Sequence, residues 1–153
     1  MVGRVTSKSK EEILTAESSA WSEIHRLVDS LTPLEAGKPG YYPEGWSAKD
    51  ALGHIGAWLA EAGMVLEQIN AGSYRADEID IDAMNRTFLD SMRDVPYDDI
   101  RAQAMAARTR LLQALNALPE VSDDALRWVR KSGPEHYGEH LARLREWVHE
   151  LRS

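Results

Sequence analysis

Apolar residues recur at intervals of three and four along almost the whole chain, the period of helices that bury one face. Ser9-Lys10-Glu11-Glu12 has the Ser-x-x-Glu pattern of a capping box, and Ile13, Leu14, Ala20, Trp21, Ile24, Leu27, Val28 and Leu31 follow as the apolar stripe of a first helix. Pro33, Gly37, Pro39, Gly40 and Pro43 break the chain into an irregular loop ending at Gly45-Trp46. Ser47-Ala48-Lys49-Asp50 caps a second helix, whose Leu52, Ile55, Leu59, Ala62, Leu66 and Ile69 repeat like a bundle seam until Gly72 stops it. A polar link leads to a shorter helical stretch with Ile81, Met84, Phe88 and Met92. Pro96 separates it from a longer one with Ile100, Ala104, Ala107, Leu111, Leu115 and Leu118. Ser122-Asp123-Asp124 caps a turn or two carrying Leu126 and Trp128, and Gly133-Pro134 opens a final helix with Tyr137, Leu141, Leu144, Val148 and Leu151 facing inward. Strand-like alternation, internal repeats and low-complexity tracts are absent from the sequence. The pattern predicts one all-α, four-helix-bundle domain over residues 1–153.

Composition narrows the function. A chain of 153 residues buries close to 70% of its unfolded surface without staples. With no cysteine there is no thiolate ligand or nucleophilic thiol, so a metal must be held by His, carboxylate, amide or water. No apolar run approaches the 18 or so residues of a membrane span, and Met1 to Ser7 lacks the apolar core of a signal peptide. A cytoplasmic protein without a membrane partner is the expectation. The net charge of −7, from 18 basic and 25 acidic residues without a basic block, argues against nucleic acid as a partner.

His54, His136 and His140 carry the candidate chemistry. The last two lie in Glu135-His136-Tyr137-Gly138-Glu139-His140, a spacing that puts both imidazoles on one helix face about 5 to 6 Å apart at Cβ. Two rings that close can grip one divalent ion, and His54 on the second helix is the natural third ligand. His54, Trp58, Glu61 and Val65 form one row and His136, His140, Leu144 and Trp147 another, both bordering the core as residues of an interhelical cleft would. An up-and-down bundle runs these two helices parallel. If residues 72–96 instead cross the bundle, they run antiparallel, and pairing His54 with the others needs a stagger of roughly 10 Å. His25 reads as a core-edge residue and His149 as a solvated residue of the final turn, where a cation would suit the helix dipole.

The run Gly45-Trp46-Ser47-Ala48-Lys49-Asp50 into Leu52-Gly53-His54-Ile55-Gly56-Ala57-Trp58, then Asp82-Ala83-Met84-Asn85, then His136-Tyr137-Gly138-Glu139-His140-Leu141 resembles the DinB-like superfamily in order and separation. That superfamily includes mycothiol-dependent maleylpyruvate isomerase N-terminal domains and bacillithiol transferases. The resemblance implies a four-helix bundle with a crossover between its second and third helices. It also implies Zn, Ni or Fe held by one His on the second helix and a His-x-x-x-His pair on the fourth, here His54, His136 and His140.

Three neutral histidines leave coordination positions open, as catalytic zinc sites do, and suit activation of water or of a thiol. In thiol-transferase members a low-molecular-weight thiol supplies the sulfur. The leading expectation is a metal-dependent S-transferase, isomerase or hydrolase acting on a small electrophile, with the three histidines catalytic through the metal. Asn85, Trp58 and Glu61 are candidate substrate contacts. Asp50, one turn before His54, is weighed as a base and reads better as a capping charge; Trp46 and Trp58 are candidate walls that core packing also explains. The second expectation is a non-catalytic small-molecule-binding or stress-protection bundle, metal-bound or not, like the colibactin self-protection relatives. A structural homodimer with incidental histidines is the third.

Overall fold

A computed structural model describes residues 7–153, with side chains from residue 9. The reading of the extreme N-terminus as lacking a signal sequence lies outside the described residues. Among the described residues seven helices follow in order: α1 (Ser7–Asp29), the single turn α2 (Pro33–Ala36), α3 (Ala48–Ala71), α4 (Ile81–Met92), α5 (Tyr97–Ala117), α6 (Asp123–Ser132) and α7 (Pro134–Arg152). The chain is all-helical as expected, and α1, α3, α5 and α7 are the four long helices.

Their ends follow local chemistry. Ser47 accepts from the Asp50 amide while the Asp50 carboxylate accepts from the Ser47 amide, a reciprocal cap that starts α3. Gly72, at φ 75°, closes it in the left-handed conformation that suits glycine. Asp80 and Ser122 cap α4 and α6 through their side chains. Two local readings need correction. Ser9 lies inside α1, which already begins at Ser7, so it is not the cap. The segment after Ser122 is a ten-residue helix rather than a turn or two, because Ala125, Leu126 and Val129 give it a buried face of its own.

Direction is fixed by the cross-helix contacts. Glu23 meets Arg145 and Ser30 meets Arg152, so α1 and α7 run parallel. Gly56 faces Ala104 and Gly63 faces Leu111, so α3 and α5 also run parallel. Arg101 reaches Asp29 and Arg108 reaches Glu17, which sets α5 antiparallel to α1. Residues 72–96 therefore cross the bundle and α3 runs antiparallel to α7. The closest seam is α3 on α5, where a Cβ on Gly56 would stand 3.0 Å from the Ala104 Cα; glycine permits that approach.

The stagger that His54 requires is supplied by α6. The N-terminal half of α3 lies beside α7, while Tyr74, just beyond the end of α3, is reached by Trp128 of α6, whose indole N–H donates to the Tyr74 hydroxyl at 3.2 Å. Beneath this, Glu17 is almost wholly buried (1% exposed) and joins three helices. It accepts two hydrogen bonds from Arg108 at 2.7 and 2.8 Å and one from the Tyr137 hydroxyl at 2.9 Å. A buried carboxylate without such partners would carry a large desolvation cost. Among the described residues no helix is long and apolar enough to cross a membrane.

Candidate metal centre

The first turns of α3 and α7 bring His54, His136 and His140 together. One ligand nitrogen from each lies within 4.8 Å of the others. The Nε2 atoms of His136 and His140 are 3.2 Å apart, and the His54 ring centroid is 4.7 Å from that of His136 and 5.5 Å from that of His140. Two nitrogens each about 2.1 Å from one ion, at angles from square to tetrahedral, stand about 3.0 to 3.4 Å apart, so the His pair already has the separation of two ligands on a shared cation. The His54 Nδ1 atom is buried without a hydrogen-bond partner among the described residues, a cost that coordination or hydrogen bonding there would relieve.

His54 is half-buried, as a residue bordering the core is, but His136 and His140 lie deeper than expected. His136 and His140 are as buried as its apolar residues, at 7% and 8% exposure, as is Trp147, whereas Leu141, Val148 and Leu151 are only half-buried. The inward face of α7 is thus centred on the histidine row rather than on the leucine-valine row. Burial keeps the rings neutral. It lowers His54 to about 4, with the His140 charge adding to the fall. It lowers His136 to about 3, helped by His140 and His54 and opposed by a backbone hydrogen bond at Ser132. His140 falls for the same reason, burial. Neutral imidazole is the form that ligates metal, and a hydrogen bond to the remaining ring nitrogen orients it. The Tyr42 hydroxyl stands 3.5 Å from His140 Nδ1, at the outer limit of such a bond, and Trp46 packs edge-on to His54.

His54 and His136 open onto a cavity of about 520 Å³. Two of the three candidate substrate contacts, Trp58 and Asn85, line it. They do so as a pair, the Trp58 indole N–H donating to Asn85 Oδ1 at 2.8 Å, so Asn85 also holds Trp58 in place. Glu61 does not line the cavity; seven residues beyond His54, it stands about 10 Å further along the helix. Asp50 is engaged in its cap, accepting from the Ser47 amide and hydroxyl. His25 is half-buried and His149 exposed, as expected.

The sequence reading missed the cavity's far wall: Tyr74 and Trp128, the cations Arg127 and Lys131, and Glu139. Glu139 follows His136 by three residues and shares its side of α7. Arg127, Trp128 and Lys131 became visible only once α6 was a helix, which sets the three about one turn apart on the cavity side.

A family model described as the mycothiol maleylpyruvate isomerase N-terminal domain matches residues 18–151. No curated protein matches the chain in sequence. Among solved structures, an uncharacterised protein from Escherichia coli UTI89 is similar with a TM-score of 0.78 at 15% identity, covering 94% of each chain. The colibactin self-resistance protein ClbS, solved in complex with a dsDNA, is similar with a TM-score of 0.76 at 16% identity over 90% of this chain and 93% of that one. The exclusion of nucleic acid on net charge is overturned by this likeness, because the fold is one on which a duplex is bound. Net charge is a sum over the whole chain, whereas phosphates are met by local groups of cations, and Arg127, Arg130 and Lys131 stand together on the short helix α6. The match over nearly the whole length, with the His-x-x-x-His helix inside it, places the chain in the mycothiol maleylpyruvate isomerase N-terminal domain family of the DinB-like superfamily.

Proposed function

We propose that His54, His136 and His140 hold a divalent metal (Zn, Ni or Fe) and that the protein is an enzyme acting on a small electrophile, as a low-molecular-weight-thiol S-transferase or isomerase, or as a hydrolase. The observation that carries this reading is three neutral imidazoles, their ligand atoms within 4.8 Å, at the wall of an open cavity. When bound, such an ion supplies a Lewis acid that keeps a thiol sulfur as thiolate or acidifies water. The chain contributes the rest. Burial holds the rings deprotonated, Trp46 and Tyr42 cover them, and the Trp58–Asn85 pair shapes the wall against which a substrate is oriented. With no cysteine of its own, the protein takes its sulfur from a cosubstrate, and the family membership supports mycothiol or a related thiol. The test is thiol consumption with mycothiol or bacillithiol and an electrophilic substrate. Turnover falls at least a hundredfold in His54→Ala; turnover equal to wild type in that variant contradicts the proposal.

A second reading is favoured by the likeness to ClbS: a self-protection bundle that sequesters a toxic small molecule and touches duplex DNA through Arg127, Arg130 and Lys131. Under it, a fluorescently labelled duplex binds at 50 mM salt and is released by 200 mM salt or by charge reversal at Lys131. Anisotropy independent of added protein at low salt removes this reading.

A further inference from the structure

The cavity is built for a particular kind of occupant. Both of its tryptophans have their indole N–H engaged by the protein, Trp58 with Asn85 at 2.8 Å and Trp128 with the Tyr74 hydroxyl at 3.2 Å. What they offer a ligand is ring surface rather than hydrogen-bond donors. Trp58 is further fixed by an edge-on contact with Phe88, centroids 5.4 Å apart, so its wall is rigid before anything binds. Ile79 and Ile81, 40% and 57% exposed, are two of the few large apolar side chains left in water among the described residues, and both line this cavity. Aromatic and aliphatic surface favours an apolar body.

We infer that the substrate has a flat, apolar, aromatic body that lies against Trp58 and Trp128 with one end at the histidines. The inference rests on the reading of this cavity as the substrate site and names the class of its electrophile.

The test titrates metal-free full-length protein with the neutral aromatic probe N-phenyl-1-naphthylamine, followed by fluorescence. The probe binds saturably at one site. Trp128→Ala and Ile81→Asp each weaken it at least fivefold. Ile81 is more than half exposed, so its substitution leaves the fold intact even if removal of Trp128 does not. Absence of saturable binding, or wild-type affinity in Ile81→Asp, overturns the inference. Because no metal is present in the titration, that failure is separate from a failure of metal uptake at the histidines.

Discussion

The three histidines are held in a state that water would not give them. His136 and His140 are buried and His54 is half-buried, and each has its proton affinity lowered, His54 to about 4 and His136 to about 3. In the unfolded chain the same rings titrate near 6.5. As pH falls through that value the unfolded chain takes up protons that the folded chain refuses. Stability present above about pH 6.5 is therefore lost progressively toward pH 4 and then 3, with a slope approaching about 1.4 kcal/mol per pH unit for each ring. Urea unfolding of metal-free protein between pH 7 and 4.5 shows this loss, and the double variant His54→Gln, His136→Gln flattens it. Equal slopes in the two proteins would mean that burial does not hold these imidazoles neutral. At this scale the sequence was informative, since the i, i+4 spacing of His136 and His140 needs only helix geometry. It was silent on burial because a histidine row and an apolar row of the same helix look alike until a partner covers one of them.

Among the elements, α7 has the most to align, since its rotation decides whether both histidines face α3. Tyr137, beside His136, is tied through Glu17 to Arg108, which joins α7 to α1 and α5 on the side away from the site. Removing the shared acceptor leaves a guanidinium and a hydroxyl without it. Glu17→Ala should cost about 3 to 5 kcal/mol, read as a lowered urea midpoint, and Glu17→Gln appreciably less. A loss below about 1 kcal/mol in the alanine variant would show that the network contributes little to the docking of α7. This contact joins residues 120 positions apart, and nothing in the local pattern announces it. The caps are the opposite case. Ser47, Asp50, Gly72 and Ser122 act on their own neighbours, so α3 and the start of α6 were readable in advance. The extent of α6 was not, because a ten-residue helix is marginal alone and persists through the α1, α3 and α7 surfaces it packs on.

For the whole molecule, the crossover of residues 72–96 sets the relation between the two histidine-bearing helices. It makes α3 antiparallel to α7, and α6 fills the offset that lets early turns of both meet. Local periodicity leaves connectivity open, which is why the bundle was legible and the direction of its helices was not. Net charge was a weak ground for excluding nucleic acid for a related reason, being a sum over the whole chain that is blind to local groups such as Arg127, Arg130 and Lys131 on α6. The claim on which the account turns is that the three rings act as one ligand set. Metal-depleted protein prepared without a histidine tag, titrated calorimetrically with zinc, measures this directly. The account predicts one ion per chain, with affinity reduced at least a hundredfold in His54→Ala and in His140→Ala. Zinc bound equally well by wild type and both variants, or not bound by wild type at all, would contradict it.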